Sequence, residues 1–373
     1  MYENLYGQLQ VLERKDAPLS QEERLKAANR PLLYWYEKHA RKLPWRENND
    51  PYRIWISEIM LQQTRVEAVK PYFQRFLKEF PDIPSLAAAE EDRLLKLWEG
   101  LGYYSRARNL QKCAKVLTED YGGRMPADYK ELLKLPGIGS YTAGAIASIA
   151  FSIPVPAVDG NVLRVVSRFT ENREDMTKPA EKKKIEVLLT ETMDRESPGD
   201  FNQALIEVGA IVCVPNGEPK CMVCPLASLC LVRRDNLWQE IPFKPPKRKR
   251  RMEQRTVFVV ERKGKIAVRK RPPKGLLASL YELPNVEGKI SEDRVSQVLE
   301  VQNDEILHME VLPEAKHIFS HVEWDMTGYL VRLSETKKED EKAWKDWIFV
   351  EKDELKGQYP LPNAFQAYRK FIK

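Results

Sequence analysis

Cysteine and histidine are scarce in this chain, with five cysteines and four histidines in 373 residues. So few thiols exclude a scaffold built on disulfides. Long apolar runs are missing too. The nearest approach to one, Tyr141 to Val158, is largely Ala, Ser and Thr and is broken by Pro154 and Pro156, so no membrane span is expected. The first residues show no basic segment followed by an apolar one, and the expectation is a cytoplasmic protein. Repeats and low-complexity tracts are also lacking. What is present is an ordinary folding composition, 43% hydrophobic and 31% charged, long enough for two or three domains. Glu3 to Gln8 is similar to a protease-tag site but departs from it at Gly7. Residues 1–20 are therefore set aside as an N-terminal extension.

Excess charge of one sign is nearly absent outside one segment. The chain carries a net +6, and residues 241–255 (IPFKPPKRKRRMEQR) hold seven Lys or Arg against one Glu. The remainder is balanced, 54 basic against 54 acidic. The segment reads as an interdomain linker stiffened by Pro242, Pro245 and Pro246, with charge suited to lie against phosphates.

Four of the five cysteines are clustered as Cys213-x7-Cys221-x2-Cys224-x5-Cys230, while Cys113 stands apart. Four thiols within 18 residues form a metal-site pattern. Zinc sites usually show two paired knuckles or histidines, and His39, His308, His317 and His321 all lie far away in sequence. One tight pair with two outliers suits an iron–sulfur cube better; zinc stays open as the alternative.

Residues 21–240 read as helical almost throughout. Phe201, Leu205, Val208 and Val212 recur at helical spacing and lead into Cys213. Pro51, Pro71, Pro84, Pro126 and Pro136 fall where helices should begin or break. Between Asp128–Lys134 and Ser140–Phe151 lies Leu135-Pro-Gly-Ile-Gly139. Gly137 and Gly139 would let a tight turn turn its N–H groups outward beside a helix N-terminus, a nest for phosphate. An ordinary helix–helix turn is the plain alternative. From 256 to 373 the texture changes to strands. Thr256–Glu261 and Lys265–Arg269 suggest a hairpin, Lys316–Leu333 and Trp344–Val350 suggest further strands, and Ser291–Val301 and Asn363–Lys373 suggest helices.

LPGIGSYTAGAI, VDGNVLRVVSR, FNQALIEVGAIVC and the four cysteines resemble the helix-hairpin-helix DNA glycosylases that carry an iron–sulfur cluster. LPWR (43–46), WISEIMLQQTRV (55–66), GLGYYSRARNL (100–110), GLLASLYELP (275–284) and HIFSHVEW (317–324) narrow the likeness to the adenine DNA glycosylase (MutY) family, over about residues 25–373. The resemblance implies an all-α helix-hairpin-helix domain (a six-helix barrel with a cluster loop) at 21–240, the linker at 241–255, and a C-terminal α+β Nudix-like domain at 256–373. It implies a [4Fe-4S] cluster on Cys213, Cys221, Cys224 and Cys230. The partner it implies is double-stranded DNA with an adenine:8-oxoguanine or adenine:guanine mispair, bound by a monomer. The first cysteine gap is one residue longer than usual in the family, and Asn216-Gly217 would absorb it in a turn. The second domain shows no Nudix box: Glu282 follows Gly275, but the Arg-Glu and Glu-Glu ligands are missing from 287–298. It is expected to be a recognition module.

Cutting an N-glycosidic bond needs a proton for the departing base and a negative partner for an oxocarbenium-like sugar, and two carboxylates in unlike surroundings supply both. Glu58 sits among apolar neighbours that should keep it protonated; Asp159 precedes a helix whose N–H groups should keep it ionised. The plain readings are a surface helix carboxylate and an N-cap. The resemblance assigns the acid to Glu58 and the sugar's partner to Asp159, with Tyr141 and Asn161 ordering the site. It places Trp45, Arg46, Leu61, Val66 and Gln203 in the adenine pocket, Gln63 and Tyr103 as wedges beside the opposite base, and Thr64 near it. Phe319-Ser320-His321 would reach the lesion. In the similar endonuclease III a lysine stands at the Tyr141 position and forms a Schiff base; a phenol cannot. A pyrimidine glycosylase/lyase and a non-catalytic iron–sulfur DNA-binding protein are the rival readings.

Overall fold

The computed structural model describes residues 19–243, 245–246, 249–335 and 344–372. The N-terminal extension to residue 18, and Lys244, Lys247 and Arg248 of the basic segment, lie outside the described residues. Two compact units emerge: Met1–Ala87 with Asn109–Pro246, and Ala88–Arg108 with Lys247–Lys373. This differs from the expected 21–240 and 256–373 in placing 88–108 with the C-terminal residues. The cause is a set of contacts between positions distant in sequence. Lys270 Nζ lies 2.5 Å from Asp92 Oδ1, Lys96 Nζ donates to the Tyr359 carbonyl at 3.1 Å, and Arg108 Nη1 to that of Ala278 at 2.5 Å.

In the first unit, helix α1 (Gln21–His39) opens on a capping box between Ser20 and Glu23. It buries Leu25, Ala28, Leu32, Trp35 and Tyr36, spaced along one face. Helix α2 (Pro51–Leu61) is capped by Asp50 with Pro51 in its first turn. Helix α3 (Val66–Glu79) runs through Pro71, where a break was expected; burial of Val69, Phe73 and Phe76 along one face offsets the missing N–H. After α4 (Ile83–Ala87), α5 (Glu91–Leu97) and α6 (Ser105–Asp120) comes α7 (Tyr129–Lys134), capped by Asp128. A hairpin leads into α8 (Ser140–Phe151). Gly144 lets α8 pack tightly: a Cβ there would lie 2.4 Å from the Pro156 carbonyl oxygen. Then follow α9 (Gly160–Phe169), α10 (Pro179–Thr192), α11 (Pro198–Ile211) and α12 (Leu231–Arg234). Phe201, Leu205, Val208 and Val212 are all buried, in a core shared with α1, α9 and α10. Among the described residues no helix is long and apolar enough to cross a membrane.

The second unit is built on a mixed sheet. Strand β1 (Arg251–Arg262) runs parallel to β6 (Val322–Leu333) along its whole length and turns through Lys263-Gly264 into β2 (Lys265–Lys270). Both turn residues have positive φ, as a two-residue hairpin requires. Because β1 begins at Arg251, the last residues of the expected linker are strand. At its other end Ile241 is buried and its carbonyl accepts from Arg168 Nε at 2.8 Å. Strand β5 (Ile306–Ile318) pairs antiparallel with β6, so the expected strand at 316–333 is the tip of a long hairpin. Short strands β3 (Tyr281–Glu282), β4 (Asn285–Glu287) and β7 (Ile348–Val350) complete the sheet. Val257 and Val259 face one core with Trp324, Phe365 and Tyr368. Phe258 and Val260 face another with Val295, Leu299 and Trp344, the period-two alternation of a sheet covered on both sides.

Candidate active site

Helix α2 is apolar on nearly every face and is buried on nearly every face, from Ile54 to Met60. That carries Glu58 inside with 8% of its surface exposed; the surface-carboxylate reading is excluded. Burial raises its pKa to about 7, against the lowering effect of a hydrogen bond from Tyr141, while Asp159 raises it and Arg46 lowers it. Tyr141, in the first turn of α8, donates its hydroxyl to Glu58 Oε2. That leaves Oε1 for a proton.

Asp159 caps α9. Its Oδ1 accepts from the Val162 amide at 2.8 Å and its Oδ2 from Asn161 Nδ2 at 2.7 Å. These bonds were expected to hold its pKa low. They are present and they do lower it, but burial outweighs them and the net shift is upward. Behind Asn161 stands Arg164, whose Nη2 donates to Asn161 Oδ1 at 2.9 Å and whose Nε donates to the Cys213 carbonyl at 2.8 Å. Gly209 makes room for this stack, since a Cβ there would lie 2.6 Å from Asn161 Cβ.

The turn Pro44–Arg46 packs on α2. Trp45 is buried edge-to-face on Phe73, centroids 5.5 Å apart, as a core aromatic. Arg46 pairs with Glu207 at 3.0 Å. Leu61, Val66 and Gln203 are half-buried, and Thr64 is half-buried in the turn between α2 and α3. Gln63, in the same turn, is exposed and held at φ +59°. In the α7–α8 hairpin Gly137 has φ +77° with Asn109 against it. Gly139 is the extended N-cap of α8, whose first-turn amides have no partner within the helix.

The helical region matches the family model for the HhH-GPD superfamily of base excision DNA repair proteins over residues 56–191. Residues 256–370 match a NUDIX domain model. A trapped endonuclease III–DNA covalent intermediate superposes with a TM-score of 0.51 at 25% identity, covering 59% of this chain and 99% of that one. The adenine DNA glycosylase of Buchnera aphidicola subsp. Baizongia pistaciae is 39% identical, covering 78% of this chain and 82% of its own. The chain belongs to the adenine DNA glycosylase family. The glycosylase of Mus musculus is 36% identical, covering 85% of this chain and 73% of its own.

In the second unit of this glycosylase, Phe319-Ser320-His321 forms the tip between β5 and β6, closed by the Phe319 amide donating to the Val322 carbonyl at 2.8 Å. Ser320 and His321 are exposed, whereas Phe319 is half-buried. Its ring lies edge-on to Trp324 and His317, at 5.0 and 4.6 Å, so it anchors the tip. Ser320 Oγ lies 3.0 Å from the Tyr103 hydroxyl. Tyr103 is 48% exposed with φ +48°. Gln63 and Tyr103, the two expected wedges, are thus both left-handed non-glycine residues, a conformation that persists where surroundings over-determine it.

Cys213, Cys221, Cys224 and Cys230 line one cavity of about 190 Å³ together with Arg168 and Arg233. Among the described residues no group of three or more His, Cys, Asp or Glu is placed to hold a metal ion. Gly217, between Cys213 and Cys221, stands at φ +76°. Arg168 Nη1 approaches Cys213 Sγ at 3.4 Å. Four thiols, a cavity between them and nearby cations fit an anionic cluster wider than one ion.

Arg164, Arg168, Arg41 and Glu207 did not emerge from the sequence as site residues. The available signal was a charge at an otherwise apolar helix position, as with Glu207 in FNQALIEVGAIV and Arg164 in NVLRVV.

Proposed function

We propose that this chain is a monofunctional glycosylase that hydrolyses the N-glycosidic bond of adenine mispaired with 8-oxoguanine or guanine in double-stranded DNA, acting as a monomer. The observation that carries this reading is the buried Glu58, bonded to Tyr141, with its pKa raised to about 7. The adenine must leave the stack to reach it. Glu58 gives its proton to the base as the C1′–N bond breaks and the bonding pair departs with the base. Asp159, fixed by Val162 and Asn161, faces the positive sugar that remains. Water then adds at C1′ and loses a proton. Tyr141 offers no amine, so no Schiff base forms there. The nest at Gly137 and Gly139 is suited to a backbone phosphate, and Ser320 and His321 offer polar groups for reading the opposite base.

The four cysteines would hold a [4Fe-4S] cluster, which supplies a covalent tie for a loop with little core of its own. One tight pair of cysteines with two outliers, and no histidine close in sequence, favours this cluster over a single zinc ion.

Single-turnover excision on duplexes carrying A:8-oxoguanine, A:G and A:T, with borohydride present, tests the reading. Excision from the first two without protein–DNA trapping is expected. Efficient trapping, or release of a pyrimidine instead, would favour the lyase; binding without excision would favour a non-catalytic protein.

A further inference from the structure

Glu207 is the strongest buried charge that the mechanism above does not use. Its side chain has no exposed surface, and both oxygens are engaged. Oε1 accepts from Arg41 Nε at 2.6 Å and from the Arg41 amide at 3.1 Å. Oε2 accepts from Arg41 Nη2 at 2.9 Å and from Arg46 Nη2 at 3.0 Å. Burial alone would raise its pKa, but the arginines overturn that and hold it at about 2. It is a carboxylate at every working pH.

Arg46 is gripped on other sides as well. It donates to the Arg41 carbonyl at 3.3 Å, and its guanidinium lies 5.6 Å from the centre of the Tyr36 ring. The turn that bears it is bolted to α2, since Arg53 Nη2 donates to the Pro44 carbonyl at 2.8 Å. So Glu207 on α11 fixes a cation on the turn packed against the helix of Glu58. We propose that Glu207 is a positioning residue for base excision, orienting Arg46 and cancelling part of its charge so that Glu58 keeps its proton.

The charge balance explains why an anion is needed. Arg46 pulls Glu58 toward ionisation, and without Glu207 its charge would stand unbalanced. One carboxylate shared by two arginines leaves a net single positive charge. Arg46 can then face a polar ligand without stripping the acid. The inference rests on Glu58 being the acid.

The test is a double-mutant cycle with pH profiles of single-turnover excision on an A:8-oxoguanine duplex. Glu207→Gln should move the alkaline limb down by roughly half to one pH unit and cut the rate at pH 8 by roughly three- to tenfold. Arg46→Gln should move the limb upward. The double variant should be no slower than Arg46→Gln alone, because Glu207 acts through Arg46. Duplex affinity should change less than about twofold in Glu207→Gln. If Glu207→Gln does not fold, Glu207→Asp, which keeps the charge and shortens the reach, should give the same shifts at smaller size. An unmoved limb, or losses that multiply in the double variant, would overturn the proposal. Should Glu58→Gln excise at the wild-type rate, it is the acid assignment that fails; the cycle judges the clamp by itself.

Discussion

Glu58 shows how one residue's chemistry follows from its neighbours' lack of it. The side chains around it on α2 are apolar, the helix is buried, and the proton stays on because charge is costly there. Excision should therefore fall as pH rises through about 7, and the decline should vanish with the activity in Glu58→Gln. We expect that variant to bind mispaired duplex with near wild-type affinity while losing at least about 100-fold in excision rate. A rate within a few-fold of wild type would reassign the acid. Stability carries the same signature. The folded pKa is above the unfolded value of 4.5, so the contribution of Glu58 is fully present below 4.5 and lost as pH rises through about 7. Glu58→Gln should thus gain on wild type by roughly 3 kcal/mol between pH 4.5 and 8, measurable by urea unfolding.

Among the elements, the α8 contact and the cysteine loop make the sharpest demands. A methyl at Gly144 would meet the backbone of Pro156 and Ala157, the segment that leads to Asp159. Gly144→Ala should cost about 1–3 kcal/mol by overpacking and should slow excision by displacing Asp159. Normal stability with normal rate would show that the contact relaxes freely. The loop from Cys213 to Cys230 contributes only Leu226 and Leu229 to the buried core. Under the cluster reading, anaerobically prepared protein should be brown with about four irons per chain, and Cys221→Ala should lose both colour and thermal stability. Zinc in place of iron in such preparations would overturn the cluster reading. Arg164 joins Asn161 to the Cys213 carbonyl, so damage to the loop should also appear as slower excision.

For the whole molecule, the assignment of 88–108 to the C-terminal unit alters what a truncation removes. Ending the chain near Lys247 deletes the partners of Asp92, Lys96, Tyr103 and Arg108 together. We expect the truncated protein to retain some excision, to narrow its preference for A opposite 8-oxoguanine over A opposite guanine, and to become protease-sensitive at 88–108. Ser320→Ala should narrow the preference alone, by roughly 5- to 150-fold, the span of one good polar contact. Full preference in the truncated protein would place recognition wholly in the helical residues.

The sequence by itself determined the family, the helical character of the first region and the α+β character of the second, and the cysteine grouping, and it singled out Glu58, Tyr141, Asp159 and Asn161 as candidates. Those are local facts: spacing, caps, glycines in turns and dense motifs. Tertiary structure turned the expected strand at 316–333 into a hairpin with Ser320 and His321 at its tip. Tertiary structure alone decided that Phe319 and Trp45 are packed as anchors, that burial at Asp159 outweighs the helix amides, and that Glu207 binds two arginines 166 and 161 positions away. The division at 88–108 was likewise hidden, because ion pairs between distant positions leave no periodic mark. Pattern reports which residues prefer water; only packing reports which charges were forced out of it and with whom they paired.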